Sequence, residues 1–467
     1  MKRIPLSLLA HWAGGELIGD DVVIGAITHD TRALEPGSLY VALRGERFDG
    51  HDFAYDAAMR GAVALLTEHT VKVDLPQVVV ADSQLALARI ATGIQQENSG
   101  KVVAITGSNG KTSVKTLIVA ILQRAGIAYA NPGNRNNEIG LPLAVIDAPE
   151  DADFTVYEMG AGKPGDIAYL TDIVTPDVAL VNNVAAAHLE RMGSLLGVAE
   201  TKGAVYEALR PDGVAVINAD DGFAEYFAQL ASGRRVIRFG LEASADVTAR
   251  NVHVGEEGSR FMLVAPQGEV AVELHLPGRH NMLNALAAAS LALGCGISLS
   301  TIAEGLAAAK PVAGRHIAHR LRNGAVLIDD SYNANPGSLD AAIDTLAAAT
   351  ASGQGQAWLV LGDMRELGAG EMALHAEAGR RAKSAGIRRL YTFGPLSQAA
   401  ALTFGEGAGS FDTHKALADA LRADLNAATA DAASGLVRVL VKGSRGSAMD
   451  RIVAALLSAG EDKTHAA

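Results

Sequence analysis

Cysteine is all but missing from this chain: Cys295 stands alone among 467 residues. One thiol excludes a disulfide framework and any multi-cysteine metal site, and it suits a reducing compartment. Long apolar runs are missing too, none approaching the roughly 18 residues that a membrane span needs. The first residues imitate a short secretory signal, Lys2-Arg3 preceding an apolar stretch to Ala10. Pro5 interrupts that stretch, and His11, Glu16 and Asp20 follow with no cleavage site, so a first amphipathic helix and a cytoplasmic protein are expected. Positive charge is in deficit, 40 Lys+Arg against 52 Asp+Glu, a net −12. That balance argues against a general nucleic-acid or membrane-surface binder, while local basic sites can still hold phosphates. No repeat of fixed period is visible. With 49% hydrophobic and 20% charged residues the chain has apolar surface enough for real cores, which excludes a disordered polymer.

At 100–200 residues per domain the length predicts about three domains. Residues 1–98 mix short strands (22–28, 38–43, 63–66, 78–80) with a helix over 83–96, ending in the polar run Glu97-Asn98-Ser99-Gly100. Residues 99–312 alternate β-branched runs (101–106, 154–157, 178–181, 214–217, 236–239) with helical stretches such as 198–209. This rhythm predicts a doubly wound, largely parallel sheet. Segments within 246–276 read as its antiparallel edge, and two alanine-rich helices, 281–293 and 301–309, lead to Lys310-Pro311. Residues 313–467 resume the alternation, with strands at 326–328, 359–361, 390–393 and 437–441 and helices at 336–348, 371–385, 415–425 and 448–457. Asn335 is placed to cap the first of these helices, with Pro336 at its first position. The expected fold is therefore α/β in three domains: a small α/β front, a central phosphate-loop domain and a Rossmann-like α/β domain at the end.

Thr106-Gly107-Ser108-Asn109-Gly110-Lys111-Thr112 follows a strand and opens a helix, the context a phosphate loop requires. Its glycines let backbone N–H groups converge on phosphate oxygens, and the helix N-terminus adds a favourable dipole. Lys111 would reach the terminal phosphates and Thr112 would offer its hydroxyl to Mg²⁺. Ile105 stands where the usual G-x-x-x-x-G-K-[ST] pattern has its first glycine. A nucleotide-dependent switch or non-catalytic binding protein is the competing class, and the Asn-Lys-x-Asp string of signalling GTPases is absent.

This variant loop resembles that of the Mur ligases. Further segments match the family in order across nearly the whole chain: Asp30-Thr31-Arg32, Phe48-Asp49-Gly50-His51-Asp52-Phe53, Glu158-Met159-Gly160, Asn182-Asn183-Val184, His188-Leu189-Glu190 and Thr201-Lys202-Gly203. They continue with Gly278-Arg279-His280-Asn281, Gly314-Arg315, Asp329-Asp330-Ser331-Tyr332-Asn333-Ala334-Asn335-Pro336, Gly362-Asp363-Met364 and Lys442-Gly443-Ser444-Arg445. Within the family the pattern is similar to the branch that adds D-alanyl-D-alanine. The branch adding the third peptide residue often carries an Asp-Asn-Pro-Arg signature that this chain lacks, although a sibling ligase adding a single amino acid remains the nearest alternative.

The resemblance implies an ATP- and Mg²⁺-dependent amide ligase of peptidoglycan precursor synthesis. It would be a monomer using two metal ions, with UDP-MurNAc-tripeptide and D-Ala-D-Ala as substrates. Glu158 and His188 would join Thr112 at the metals, where plain sequence reading also allows a solvated carboxylate and a satisfied histidine. Lys202, ordinarily a surface lysine, would become a carbamate with CO₂ and donate oxygen. Asn281 and Asn284 would lie at the adenine, helix capping by Asn281 being the plain alternative. Arg315 would reach a phosphate and Asp330 the ribose. Asn333, Asn335 and Asp363 are candidates for the dipeptide pocket or its support, and Lys442 and Ser444 for orienting a carboxylate. In the front domain Thr28, Asp30, Thr31, Arg32 and the loop Arg47, Phe48, Asp49, Gly50, His51 would hold the UDP-sugar, Arg32 by bidentate bonds to the diphosphate unless it serves a surface ion pair. One departure stands out: Gly162-Lys163 replaces the Asn-His common in relatives, and Lys163 receives no role.

Overall fold

A computed structural model describes residues 1–45, 47–186, 188–255, 258–350, 355–430 and 435–458. The front of the chain forms a five-stranded sheet in the order Glu16–Ile18, Gln77–Val79, Ala62–Thr67, Ser38–Val41, Ala26–Thr28, parallel except for its first strand. The single strand expected over 22–28 is instead two. Val23–Ile24 pairs antiparallel with Ile4–Pro5, and the chain changes sheets at Gly25, whose N–H bonds Gly37 O at 3.0 Å. The amphipathic first helix is Leu6–Ala13, with Leu6, Leu9, Ala10 and Ala13 buried.

The central sheet has six parallel strands in the order Arg235–Phe239, Val214–Asn218, Val178–Val181, Lys101–Thr106, Phe154–Glu158, Ala128–Ala130. Its strands are apolar along nearly their whole length because helices cover both faces. Lys101–Thr106 comes first in the chain yet lies inside the sheet, so later strands are laid down on either side of it. The crevice at the carboxyl ends of such strands is where open α/β sheets bind ligands.

Residues 246–276 do not form an edge of that sheet. Thr248–Val254, Ser259–Ala265 and Gly268–Leu274 make a separate antiparallel sheet, joined to the parallel one among the described residues by a single bridge between Phe239 and Val247. Alternation explains the separation: Phe261, Leu263, Val272 and Leu274 are buried on one face, against the helices Arg279–Gly294 and Leu299–Ala308.

The last sheet runs Ile317–Arg320, Val326–Asp330, Leu436–Lys442, Gly355–Gly362, Arg389–Phe393, Ala408–Phe411, antiparallel only at its first strand. Helix Pro336–Ala348 starts as expected, with Asn335 and Ser338 forming a reciprocal capping box. Sequence reading missed the short helices Gly140–Ile146, Asp166–Val174, Ala224–Leu230 and Gln398–Phe404, each under ten residues. One apolar core runs from Ile4 through Tyr157 to Ala231, so packing is continuous across residue 98. Among the described residues no helix is long and apolar enough to cross a membrane.

Candidate active site

The carboxyl ends of the central strands open into a cleft of about 760 Å³, roofed by residues 314–342 and the loops after Gly355–Gly362 and Leu436–Lys442. Its floor is the phosphate loop. Ile105 is fully buried in the strand, so the position where a first glycine would be usual is sheet interior here. Gly107 and Gly110 have φ of 146° and 78°, backbone that side chains resist. A Cβ at Gly110 would also come within 2.5 Å of both Asn182 Nδ2 and Asn284 Oδ1. Neighbouring strands hold the turn: Asn109 N–H donates to Asn183 Oδ1 (2.8 Å), Ser108 Oγ to Ala185 O (3.1 Å), and Thr106 Oγ1 to Met159 O (3.0 Å). Lys111 Nζ folds back to donate to Gly107 O at 2.6 Å. Burial pushes its pKa down against the pull of Glu158, and Arg315 adds to the lowering.

Glu158, ending the adjacent strand, is buried and heavily partnered. Its carboxylate accepts from Thr112 Oγ1 (2.9 Å) and Asn136 Nδ2 (3.1 Å) and lies 3.2 Å from Lys115 Nζ. Burial works to raise its pKa, but Lys115, Lys111, the Thr112 bond and Arg315 outweigh it, so the group is held ionised. An ionised carboxylate beside a threonine hydroxyl at a phosphate loop fits a hard divalent cation. Among the described residues no three His, Cys, Asp or Glu side chains are grouped to hold a metal. A cation here would therefore draw on hydroxyl and phosphate oxygens as well.

Lys202 and His188 flank this centre differently. Lys202 lies on the helix Leu195–Glu207, is 2% exposed and does not line the cleft directly. Among the described residues its amine has no hydrogen-bond or ion-pair partner. Burial, helped by Lys111, drives its pKa well down, which favours a neutral, nucleophilic amine. His188 lines the cleft with a left-handed backbone (φ 54°), and its Nδ1 lies 2.5 Å from Glu366 Oε2.

From the other side of the cleft, Arg315 donates to Thr112 Oγ1 at 2.9 Å while its guanidinium lies 4.5 Å from the Tyr332 ring centre. Asn335 Nδ2 donates to Asn109 Oδ1 at 2.7 Å. Asp330 accepts from Lys442 Nζ (2.6 Å), which also donates to Asn333 O (3.1 Å). Lys442 thus orients a carboxylate of the protein itself. His280 and His316 stand edge to face, 5.8 Å apart, both lining the cleft. Burial, with His316 and Lys442 adding to it against Asp330, takes His280 down to about 4.

Asn281 does not cap its helix, since Gly278 occupies the cap position. Instead Asn281 donates to Pro277 O (2.8 Å), and Asn284 accepts from Asn182 Nδ2 (3.1 Å), both at the cleft wall. Asn333 lines the cleft, whereas Asp363 and Ser444 do not. The Asp363 carboxylate accepts from the N–H groups of Leu396 and Ser397, and Ser444 Oγ joins Arg365 N to Ala334 O. These two residues brace the loops behind the pocket.

The front-domain residues lie outside the cleft. Thr28 and Asp30 form a local turn, and Thr31 begins the following 3₁₀ turn. Arg32 is exposed, and its guanidinium grips both oxygens of Asp30, which is held down to about 2 by those bonds. That is the surface ion pair rather than a free anion fork. Arg47 and Phe48 are exposed. His51 is committed on both nitrogens, Nδ1 to Asp49 and Nε2 to the Glu68 N–H. Gly50 packs where a Cβ would strike the Leu43 backbone at 2.6 Å, so this loop is built partly for its own folding.

Sequence reading gave no role to Lys115, Lys163, Arg191, His316 or Tyr332, of which all but Lys115 line the cleft. Lys115 carried a usable signal. It sits among buried Val114, Leu117, Ile118 and Ile121 on helix Lys111–Leu122, and an inward lysine demands a partner.

A parallel sheet with a phosphate loop on its first strand, roofed by a second α/β unit that touches the loop, defines a nucleotide-dependent enzyme. Three stretches match one family: residues 23–104 the Mur ligase family catalytic domain, 105–292 the Mur ligase middle domain, and 314–445 the Mur ligase glutamate ligase domain. A curated relative from Escherichia coli (strain K12), UDP-N-acetylmuramoyl-tripeptide–D-alanyl-D-alanine ligase, is 44% identical, covering 98% of this chain and 100% of its own. A crystal structure of MurF from Acinetobacter baumannii superposes with a TM-score of 0.92 at 31% identity, over 98% of this chain and 99% of that one. MurF ligase from Thermotoga maritima in complex with ADP gives 0.82 at 29% identity, over 93% and 97%. The chain belongs to the Mur ligase family and is an ATP-dependent ligase.

Proposed function

We propose that this protein joins D-alanyl-D-alanine to UDP-MurNAc-tripeptide, with ATP converted to ADP and phosphate, as a cytoplasmic monomer in peptidoglycan precursor synthesis. The observation that carries the reading is the meeting, at one loop, of Lys111 and Thr112 with Arg315 and Asn335 from the far side of the cleft. Relatives bearing that one name and matched over their full length support the choice of substrates. In this reading residues 1–98 receive the UDP end through Thr28, Asp30, Thr31, Arg32 and the 47–51 loop. Residues 99–312 hold the nucleotide, and 313–467 complete its site and take the dipeptide near Asn333 and Asn335.

The terminal carboxylate of the tripeptide attacks the γ-phosphorus of ATP, the bond to ADP breaks, and an acyl phosphate results. The dipeptide amine then attacks the acyl carbon, phosphate departs, and the amine sheds its proton. Lys111 leaves Gly107 O to follow the transferring phosphate, while Arg315 offers a second positive charge from across the cleft. Mg²⁺, held by Thr112 and Glu158 with His188 and a carbamylated Lys202 close by, would supply charge neutralisation. Closure by the roof keeps water from a reactive acyl group.

The test is ADP and phosphate release from ATP with UDP-MurNAc-tripeptide, with and without D-Ala-D-Ala. Sustained release that needs the dipeptide, and that single amino acids do not replace, is expected. Release indifferent to any amine would overturn the proposal.

A further inference from the structure

Around Glu158 the charges do not balance. Lys115 Nζ stands 3.2 Å from the carboxylate, and Lys111 and Arg315 both act on it, against one negative charge. Lys115 is itself buried and fixed by Asn131 O (2.9 Å) and Gly133 O (3.3 Å). Asn131 in turn clasps the Glu158 backbone on both sides, accepting from its N–H and donating to its C=O, each at 2.9 Å. Lysine and carboxylate are therefore parts of one rigid unit, and the lysine cannot swing aside as a surface side chain would.

We infer that Lys115 is a positioning residue whose fixed charge aims Glu158 at Thr112 and makes divalent-cation binding wait for the nucleotide. A bare dication approaching Glu158 meets an ammonium already in contact with the carboxylate, and two further cations near by. The unfavourable balance is reversed when phosphates arrive, because they bring several negative charges to the same place. Metal and nucleotide then enter as one complex, and the apo enzyme does not hold a lone ion in its catalytic centre. The inference rests on the reading of Glu158 as a metal donor given above.

The test is direct Mn²⁺ binding to the full-length protein, followed by electron paramagnetic resonance of free Mn²⁺, without nucleotide and with ADP. Wild type should bind Mn²⁺ measurably only with ADP. Lys115→Met, which keeps length and removes charge, should bind it without nucleotide at least tenfold more tightly than wild type. Lys115→Gln, able to donate to Asn131 O still, should behave likewise and serves if the Met variant fails to fold. A purely packing role would lower the melting temperature and leave nucleotide-free affinity unmoved. Equal nucleotide-free affinity in wild type and folded variants overturns the inference, while dipeptide-dependent ADP release by wild type would leave the proposed reaction standing. Glu158→Gln that retains Mn²⁺ with ADP as tightly as wild type would remove Glu158 as donor, and the inference with it.

Discussion

Lys111 sits at the mouth of its helix and bonds its own loop through Gly107 O, with the Arg315 guanidinium reaching Thr112 from the opposite wall. Lys111→Ala should cut dipeptide-dependent ADP formation by about 10²–10³-fold, the usual loss when one donor to a developing charge is removed. Steady-state ADP release checks it. Lys202 poses a sharper case, a buried amine with no partner among the described residues. Lys202→Ala should abolish turnover and lower the urea midpoint, because it empties the space of a large buried side chain, whereas Lys202→Met should lose turnover with the midpoint largely kept. Added formate or acetate should restore part of the rate if a carboxylate-like group is what the site lacks, and full activity without rescue would end that role for Lys202.

At the scale of elements, the helix Pro336–Ala348 shows how one residue serves two purposes. Asn335 accepts from Ser338 N–H at its cap and donates to Asn109 in the phosphate loop. Asn335→Ala should cost about 0.5–2 kcal/mol of stability from the lost cap. Paired with Asn109→Ala, it should show non-additivity in denaturant melts, because the two side chains are bonded. The cap was legible in the sequence because Asn-Pro at a helix start is local chemistry. The partner 226 residues away was not, since no local rule reaches that far. The same division holds elsewhere. Parallel strands such as Val178–Val181 announced themselves through continuous apolar runs. Gly140–Ile146 and Gln398–Phe404, one or two turns long, carried too few periodic positions to be seen. Motif residues gave the floor of the cleft, Glu158 and Lys111 among them. Asp363 was legible as a pocket residue or its support, but its partners Leu396 and Ser397 were not, because they depend on a fold-back the sequence does not encode locally.

For the molecule as a whole, the cleft joins units distant in sequence, and its ionisable pairs make the assembled state sensitive to acid. His280 in the folded protein titrates near 4, below the ordinary histidine value of 6.5, chiefly through burial. The unfolded chain therefore takes up this proton first as pH falls. Stability from this group is lost progressively between about pH 6.5 and pH 4, by about 3 kcal/mol in all, and levels off below. Urea melts at pH 7 and pH 5 should show the decline, and His280→Gln should make it shallower, with His316, His188 and His29, also lowered by burial, carrying the rest. Across the same cleft run hydrogen bonds or ion pairs from Arg315 to Thr112, Asn335 to Asn109 and His188 to Glu366, beside the ring contact of His280 with His316. Arg315→Ala should raise KM for ATP and slow ADP release together, because the guanidinium touches the loop that carries the phosphates.

Two of those tying residues, His188 and Glu366, hold left-handed backbones with φ of 54° and 63°. Such conformations cost side-chain-bearing residues roughly 1 kcal/mol or more each, and glycine would relieve the cost. A programme to harden this enzyme for industrial heat would therefore be drawn to Glu366→Gly as a cheap gain. It would remove the carboxylate that His188 Nδ1 meets across the cleft, exchanging turnover for shelf life.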